Sequence, residues 1–525
     1  MVTAATGVTE VRLAEVMAAL SLATDLAMGQ PLEQALCSCV LAVRLGEALG
    51  LDERELRDVY YQALLRYIGC NAETHAMAAL MGDELAVRQD FAQIDTGDNP
   101  AVARMVIRYL RSANAGASPF TIARNVVQGL VNAPTFMKES FSGHCEVAQR
   151  LATRLGFDEG VIVPLGQLYE RWDGKGLPNG LKGEAVALAV RLVTLAQDAV
   201  IFHRLGGVEA AVKTAKERRG GAYDPRMVDV FCDQAETLLA GLEEEPSWDA
   251  VLALEPGERR YFTDEELDNA CTAIADFTDI KSPFLLGHSP GVAALAAGAA
   301  ERCGLPAADV AAVRRAGWLH DVGRVSVSAG VWGKAGPLSE REWERVRLHS
   351  YHTERVLARP ATLGRLGALA AMHHERLDGS GYHKGLPAAM LPPAARILAA
   401  ADVYQALTEP RPHREARSAD EAAEELRREV RAGRLDGEAA NAVLAAAGHR
   451  APRARRELVA GLSERQVEVL RLIARGNSMK QIAARLFISE KTVDNHIQHI
   501  YARIGVSTRA GATLFAMEQG LVSDE

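Results

Sequence analysis

The amino-acid sequence predicts an all-α protein of several helical domains, on three observations. Ala, Leu, Arg and Glu dominate, apolar residues recur at three- and four-residue spacings, and no alternating strand pattern interrupts them. At 525 residues the chain is too long for one core, because a domain holds about 100 to 200 residues. Hydrophobic residues at 48% and charged residues at 24% supply material for packed cores and exclude a mainly disordered protein. No basic stretch with a following apolar segment opens the chain, and no run of about 18 apolar residues appears, so a cytoplasmic location without membrane insertion is expected.

The seven cysteines form no CxxC pair, which excludes a zinc knuckle and a disulfide framework. A net charge of -9 means that any nucleic-acid surface must be local. The stretch His449 to Arg456, HRAPRARR, is one such surface, and it reads first as a solvated linker. Pro and Gly cluster in Gly241 to Gly257 and around Gly448 to Pro452, dividing the chain into roughly 1–240, 260–447 and 460–525.

The first two segments repeat one another. HHERLDGSGYHKGL from His373 matches LYERWDGKGLPNGL from Leu168 at Glu, Arg, Asp, three Gly and Leu in register. Twenty-four residues before each string stands a histidine, His349 and His144, and twenty-nine residues after each start stand Asp402 and Gln197. WLHDVGR (Trp318 to Arg324) aligns with LLRYIGC (Leu64 to Cys70), and thirty-two residues before His320 and Arg66 stand His288 and Gln34. The first copy carries a longer insertion between Cys70 and His144.

Eight of the fourteen histidines fall between 288 and 413, a density that asks for a chemical cause. Imidazoles and carboxylates are the usual ligands of Fe, Mn and related divalent ions, and a shared carboxylate can bridge two of them. Helix-packing histidines satisfied by backbone carbonyls are the alternative, and for His352 and His413 it is the better reading. His288 in GHSPGVA, His320 and Asp321 in LHDVGR, His349 in VRLHSYHTE, His373 and His374 in HHERLDGSGY and Asp402 in AADVYQAL together resemble the HD superfamily of metal phosphohydrolases, specifically the HD-GYP group that degrades cyclic dinucleotides. That resemblance implies a metal-dependent phosphodiesterase acting on cyclic di-GMP or another phosphodiester. His288, His320, Asp321 and Asp402 would hold one divalent ion, and His349, His373 and His374 the second, with Asp321 bridging and Fe or Mn favoured over Zn or Mg. Asp321 and Arg324 are the catalytic candidates. Arg324 stands where the family usually has lysine, and it keeps a positive charge for the transition state without a proton to give.

Phe284 replaces a glutamate with which some relatives bind a third metal, so two ions are expected. Gly381, Tyr382, His383 replaces the name-giving Gly-Tyr-Pro, which bears on nucleotide specificity more than on hydrolysis. The Gly-rich stretch Asp378 to Gly381 reads either as a phosphate approach or as a tight turn. In the first copy the ligand positions read Gln34, Arg66, Tyr67, His144, Leu168, Tyr169 and Gln197. One imidazole cannot build a binuclear centre, so this half is expected to be silent, as a structural pseudo-dimer partner, a ligand sensor or a receiver of a signal through its long insertion.

From Leu462 the caps divide the chain into four short helices. Ser463 with Gln466 and Ser478 with Gln481 fit a capping box, Ser489 and Ser507 are expected N-caps, and Gly476 and Gly505 mark helix ends. In the third helix Val493, Ile497, Ile500 and Ile504 share one face, and polar residues occupy the others. SERQVEVLRLIARG, QIAARLFIS and KTVDNHI resemble the LuxR-type helix-turn-helix over about 60 residues. By that resemblance Asp494, Asn495 and Gln498 would face bases of double-stranded DNA, and Lys480, Lys491 and Arg503 phosphates. Arg509 to Gln519 resembles the family's dimer contact, so a homodimer on paired half-sites is expected. The expected architecture is two tandem HD-type helical domains, the first degenerate, followed by a four-helix LuxR-type module. Function then reads as a transcription regulator coupled to phosphodiester hydrolysis, with a non-catalytic nucleotide sensor or a phosphodiesterase merely localised by its DNA-binding module as alternatives.

Overall fold

In the computed structural model, residues 8–242, 247–448 and 459–522 are described. The basic stretch His449 to Arg456 lies outside them. The contacts divide the chain into two units, Met1–Glu266 and Leu267–Glu525. Helices dominate both, as the apolar periodicity predicts. Among the described residues the one sheet is a pair of antiparallel strands, β1 (Val8–Arg12) and β2 (Tyr261–Thr263).

The first unit is built around α1 (Gln34–Ala48), α2 (Glu53–Leu65), α3 (Pro119–Arg154) and α4 (Leu188–Glu217). Asp52 and Glu55 close a capping box at the start of α2, satisfying backbone donors that the first turn leaves open. Leu36, Leu45, Leu64 and Leu192 are fully buried in this core. Most of the insertion after Cys70 folds as three short helices and the first half of α3, which gather Met81, Val87, Met105, Val106 and Leu110 into a core of their own. The unit runs past the Pro and Gly cluster expected to end it. Ser247–Ala253 forms a helix that buries Trp248 and Val251, and β2 then returns to pair with β1.

The second unit contains α5 (His288–Arg302), α6 (Ala307–Leu319), α7 (His349–Leu357), α8 (Ala361–Ala370) and α9 (Pro393–Thr408). Its core is rich in alanine, including Ala296, Ala299, Ala316, Ala400 and Ala401, and small side chains let helix axes approach closely. At Gly317 even a methyl group would lie 2.6 Å from Ala293 Cα, so α5 and α6 touch backbone to backbone.

One detail shows the repeat in three dimensions. Glu375 accepts backbone N–H groups from Lys384 and Leu386, each at 2.8 Å, and Glu170 accepts those of Asn179 and Leu181 at 2.7 and 2.8 Å. The shared glutamate therefore ties down the same Gly-rich loop in both copies. The Tyr382–His383 peptide is cis, as is Leu177–Pro178 at the matching place.

Residues 459–522 fold as α10 (Glu464–Ala474), α11 (Met479–Leu486), α12 (Glu490–Ile504) and α13 (Arg509–Glu518). Ser463/Gln466 and Ser478/Gln481 make the expected capping boxes, and Ser489 caps α12. The cap of α13 is Thr508 rather than Ser507, because its Oγ1 accepts the Gly511 N–H at 3.1 Å.

Candidate metal centre

Five segments bring the sequence-predicted ligands together. His288 opens α5, His320 closes α6 with Asp321 next to it, His349 opens α7, His373 and His374 follow α8, and Asp402 sits within α9. All are buried except His374, which is partly exposed.

Asp321 lies between two groups of imidazoles. Its Oδ2 is 3.3 Å from His320 Nε2 and 3.6 Å from His288 Nε2, while its Oδ1 is 3.5 Å from both His349 Nε2 and His373 Nε2. Asp402 also reaches two ways, with Oδ1 3.3 Å from His288 Nε2 and Oδ2 3.6 Å from His374 Nδ1. His288, His320 and Asp321 converge on one point, and His349, His373 and His374 on another.

The donor atoms fit divalent cations. His320 Nδ1 donates to Gly317 O at 2.8 Å, His373 Nδ1 to Ala370 O at 2.7 Å, and His349 Nδ1 to Val346 O. With the proton held on Nδ1, each Nε2 turns a lone pair into the cleft. His320 Nε2 is buried there without a hydrogen-bond partner. His349 Nε2 and His373 Nε2 stand 3.1 Å apart, a facing of two lone pairs that a cation would stabilise.

Charge divides the cleft in the same way. Burial opposes a charged His288, but Glu409 and Asp402 overcome it and lift the imidazole to about 9. Against the same burial, Asp321 and Asp402 lift His320 to about 10. Burial dominates on the other side, pushing His349 down to about 3 and lowering His373 and His374. Although burial opposes ionisation, both aspartates are held far below the ordinary carboxylate range, Asp321 by Arg324 and His320, Asp402 by His288 and His320. Neutral imidazoles on the His349, His373 and His374 side, and two ionised carboxylates that draw positive charge onto His288 and His320 on the other, make a cation site.

Arg324 reaches into it, donating Nη1–H to Asp321 Oδ2 at 2.7 Å with its guanidinium over the Trp332 ring, 4.2 Å from the centroid. The Tyr382 ring lies 4.5 Å from that of His374, at the edge of the imidazole group. His352 and His413 join neither group of ligands, and His413 is exposed.

The sequence and the fold have known counterparts. The HD domain model matches residues 132–226 and 272–439, half of the chain and parts of both copies. The chain belongs to the HD-domain family. The model for bacterial regulatory proteins of the luxR family matches residues 460–516. Among HD-domain relatives, the chain is 31% identical over 416 residues to 3'3'-cGAMP-specific phosphodiesterase 3 of Vibrio cholerae, spanning 78% of this chain and 89% of that one. It is 39% identical over 125 residues to the cyclic di-GMP phosphodiesterase response regulator RpfG of Xanthomonas campestris, spanning 23% of this chain and 33% of that one. The crystal structure of the cyclic GMP-AMP phosphodiesterase V-cGAP3 of V. cholerae superposes with a TM-score of 0.58 at 28% identity, covering 83% of this chain and 97% of that one. This HD-domain chain is thus a tandem of HD copies, the first degenerate, followed by a LuxR-type module. No described helix is long and apolar enough to cross a membrane.

Sequence reasoning missed Glu409. It accepts His288 Nδ1–H at 2.9 Å and pairs with Arg411, itself nearly buried, which also donates to the Phe284 carbonyl. The signal was its place seven residues after Asp402, two turns along the same face. In the LuxR-type module, Lys480, Lys491, Asp494, Asn495, Gln498 and Arg503 are all exposed, while Val493, Ile500 and Ile504 are buried beneath them. On α13, Ala510, Ala512, Leu514 and Ala516 are buried within the chain, leaving Phe515 and Glu518 partly exposed.

Proposed function

We propose that the second HD copy hydrolyses a cyclic dinucleotide, and that the C-terminal module carries the state of that site to double-stranded DNA, with the three segments acting as separate domains. The observation that carries the enzymatic half is the Asp321 carboxylate, which offers one oxygen to each group of imidazoles. His288, His320, Asp321 and Asp402 would hold one divalent ion, and His349, His373 and His374 with Asp321 a second. Fe or Mn suits this imidazole-rich mixture. When bound, such ions activate water and polarise phosphate oxygens.

The chain's own groups prepare the site. The backbone carbonyls of Gly317, Val346 and Ala370 fix the ring orientations, and Glu409 does the same for His288. Arg324, steadied on Trp332, holds a permanent positive charge where phosphate oxygens gather negative charge. It cannot protonate a leaving alkoxide, so that proton comes from solvent or another group. The 3'3'-linked guanine–adenine dinucleotide is the first candidate substrate, supported by the relative of which the chain spans 89%, and cyclic di-GMP is the second. DNA binding as a homodimer is supported by the match to the luxR family and by the exposed polar face of α12.

The test is hydrolysis of both dinucleotides by protein purified with Mn or Fe, beside Asp321→Ala. Loss of turnover in the variant supports the assignment, and equal activity in both overturns it. Metal-dependent DNA affinity with no turnover would instead support a sensor.

A further inference from the structure

We propose that the first copy is a binding site for a phosphate-bearing small molecule, built at the place where the second copy gathers its metal ligands. Three polar atoms there are buried and have no hydrogen-bond partner: Arg66 Nε, His144 Nε2 and Gln197 Oε1. They belong to the residues that match His320, His349 and Asp402 in the repeat. Their side chains are 9%, 3% and 6% exposed, so water does not readily satisfy them. A buried polar group left unpaired is costly, and Arg66 and Gln197 on one cavity, with His144 on the apolar pocket that shares Tyr169 and Arg88 with it, point to a missing partner.

The charge of that partner follows from the arginines. Arg66, Arg88, Arg171 and Arg218 line one cavity of about 140 Å³. Arg171 is neutralised by Asp95 and Asp173, and Arg218 by Asp198. Arg66 donates to the Thr194 hydroxyl at 3.1 Å and lies over the Tyr67 ring, neither of which carries a negative charge. Arg88 donates to Ala27 O and Thr74 Oγ1, both at 2.8 Å, and to Cys70 O, three acceptors without negative charge. Glu170, the nearby carboxylate, spends both oxygens on the Gly-rich loop. Where the second copy has Asp321 and Asp402, this one has Tyr67 and Gln197, so the two acids that would repel an anion are gone.

Two guanidiniums held by neutral groups, beside the Gln197 amide, make the cavity attractive to an anion, and phosphate oxygens suit such cationic donors. A cavity of about 140 Å³ is close to the roughly 150 Å³ void that holds one benzene, so it admits a phosphate with part of a sugar rather than a whole cyclic dinucleotide. With no second imidazole and no carboxylate at the ligand positions, the ligand is held without being cleaved.

The test is isothermal titration of the full chain, freed of metal, with inorganic phosphate and with 5'-GMP. Saturable binding is expected, retained in Asp321→Ala and weakened about tenfold or more in Arg66→Gln and Arg88→Gln. Tighter binding of GMP than of phosphate identifies a nucleotide, and equal binding identifies the phosphate group alone. Gln197→Glu, which adds one negative charge at nearly constant volume, should also abolish binding while melting as the wild type does. No saturable binding, loss in Asp321→Ala, or wild-type affinity in both Arg66→Gln and Gln197→Glu overturns the proposal, whether or not the second copy hydrolyses its substrate.

Discussion

His288 donates its Nδ1–H to Glu409 Oε2 at 2.9 Å, which turns Nε2 toward Asp321 and Asp402. A carboxylate behind a ligating imidazole fixes its tautomer and raises its basicity. Glu409→Ala should therefore lower metal affinity about 10- to 100-fold, with Glu409→Gln between the two because an acceptor oxygen remains. Retained Mn after dialysis against graded chelator measures this. Wild-type retention in Glu409→Ala would show that His288 needs no partner.

Gly323 lies so close to His349 that an added methyl would sit 2.0 Å from the His349 carbonyl, and at Gly69 it would sit 1.9 Å from that of His144. Neither carbonyl is the end of a flexible side chain, so the helix itself must move. Gly323→Ala should destabilise the chain by about 1–3 kcal/mol or more and displace His349 from its group. Gly69→Ala should cost a similar amount and leave phosphodiester hydrolysis unchanged per folded molecule. Urea denaturation beside a turnover assay separates the two outcomes.

What the sequence made legible follows from what leaves a local signal. Ser463 and Ser478 announce their helices because a capping box is written within four residues, and the seven candidate ligands are visible because each stands in a short motif repeated at a fixed spacing. β1 and β2 were not legible: five residues pair with three across about 250 positions, and such short strands carry no period of their own. The helix Ser247–Ala253 lay hidden in a stretch rich in Glu, Pro and Gly, and the burial of Trp248 and Val251 outweighs that composition. Glu409 was missed for a different reason, since it supports a ligand and belongs to no ligand motif.

Asp279 accepts Ser289 N–H and Oγ–H at 2.9 and 2.8 Å, yet burial raises its carboxyl to about 7 against those bonds and the pull of His288. Between about pH 4 and 7 the unfolded chain has released this proton and the folded chain keeps it, so folding stability falls as pH rises through that window and is level above it. Asp279→Asn keeps an acceptor for the Ser289 N–H and removes the titration. In metal-free protein it should melt near the wild type at pH 4 and clearly above it at pH 8, by an amount on the order of a few kcal/mol. A variant no more stable than the wild type at pH 8 would contradict the buried charge as the cause.

On α11 and α12 the exposed side chains separate into two kinds that DNA binding should distinguish. Asn495 and Gln498 carry amides able to pair with base edges, so Asn495→Ala and Gln498→Ala should each cost about 1–3 kcal/mol on the preferred site and little on other sequences. Lys480, Lys491 and Arg503 are proposed to face phosphates, so Lys480→Ala or Lys491→Ala should weaken every sequence alike and flatten the salt dependence by about 0.9 per contact. Asp494 is the discriminating position, because an exposed carboxylate facing the duplex repels phosphate unless a cytosine amino group meets it. Asp494→Lys should therefore raise affinity for all DNA and lower the ratio between preferred and random sites. Fluorescence anisotropy over a salt series reads both quantities. If Asp494→Lys leaves both unchanged, this end of α12 does not enter the groove.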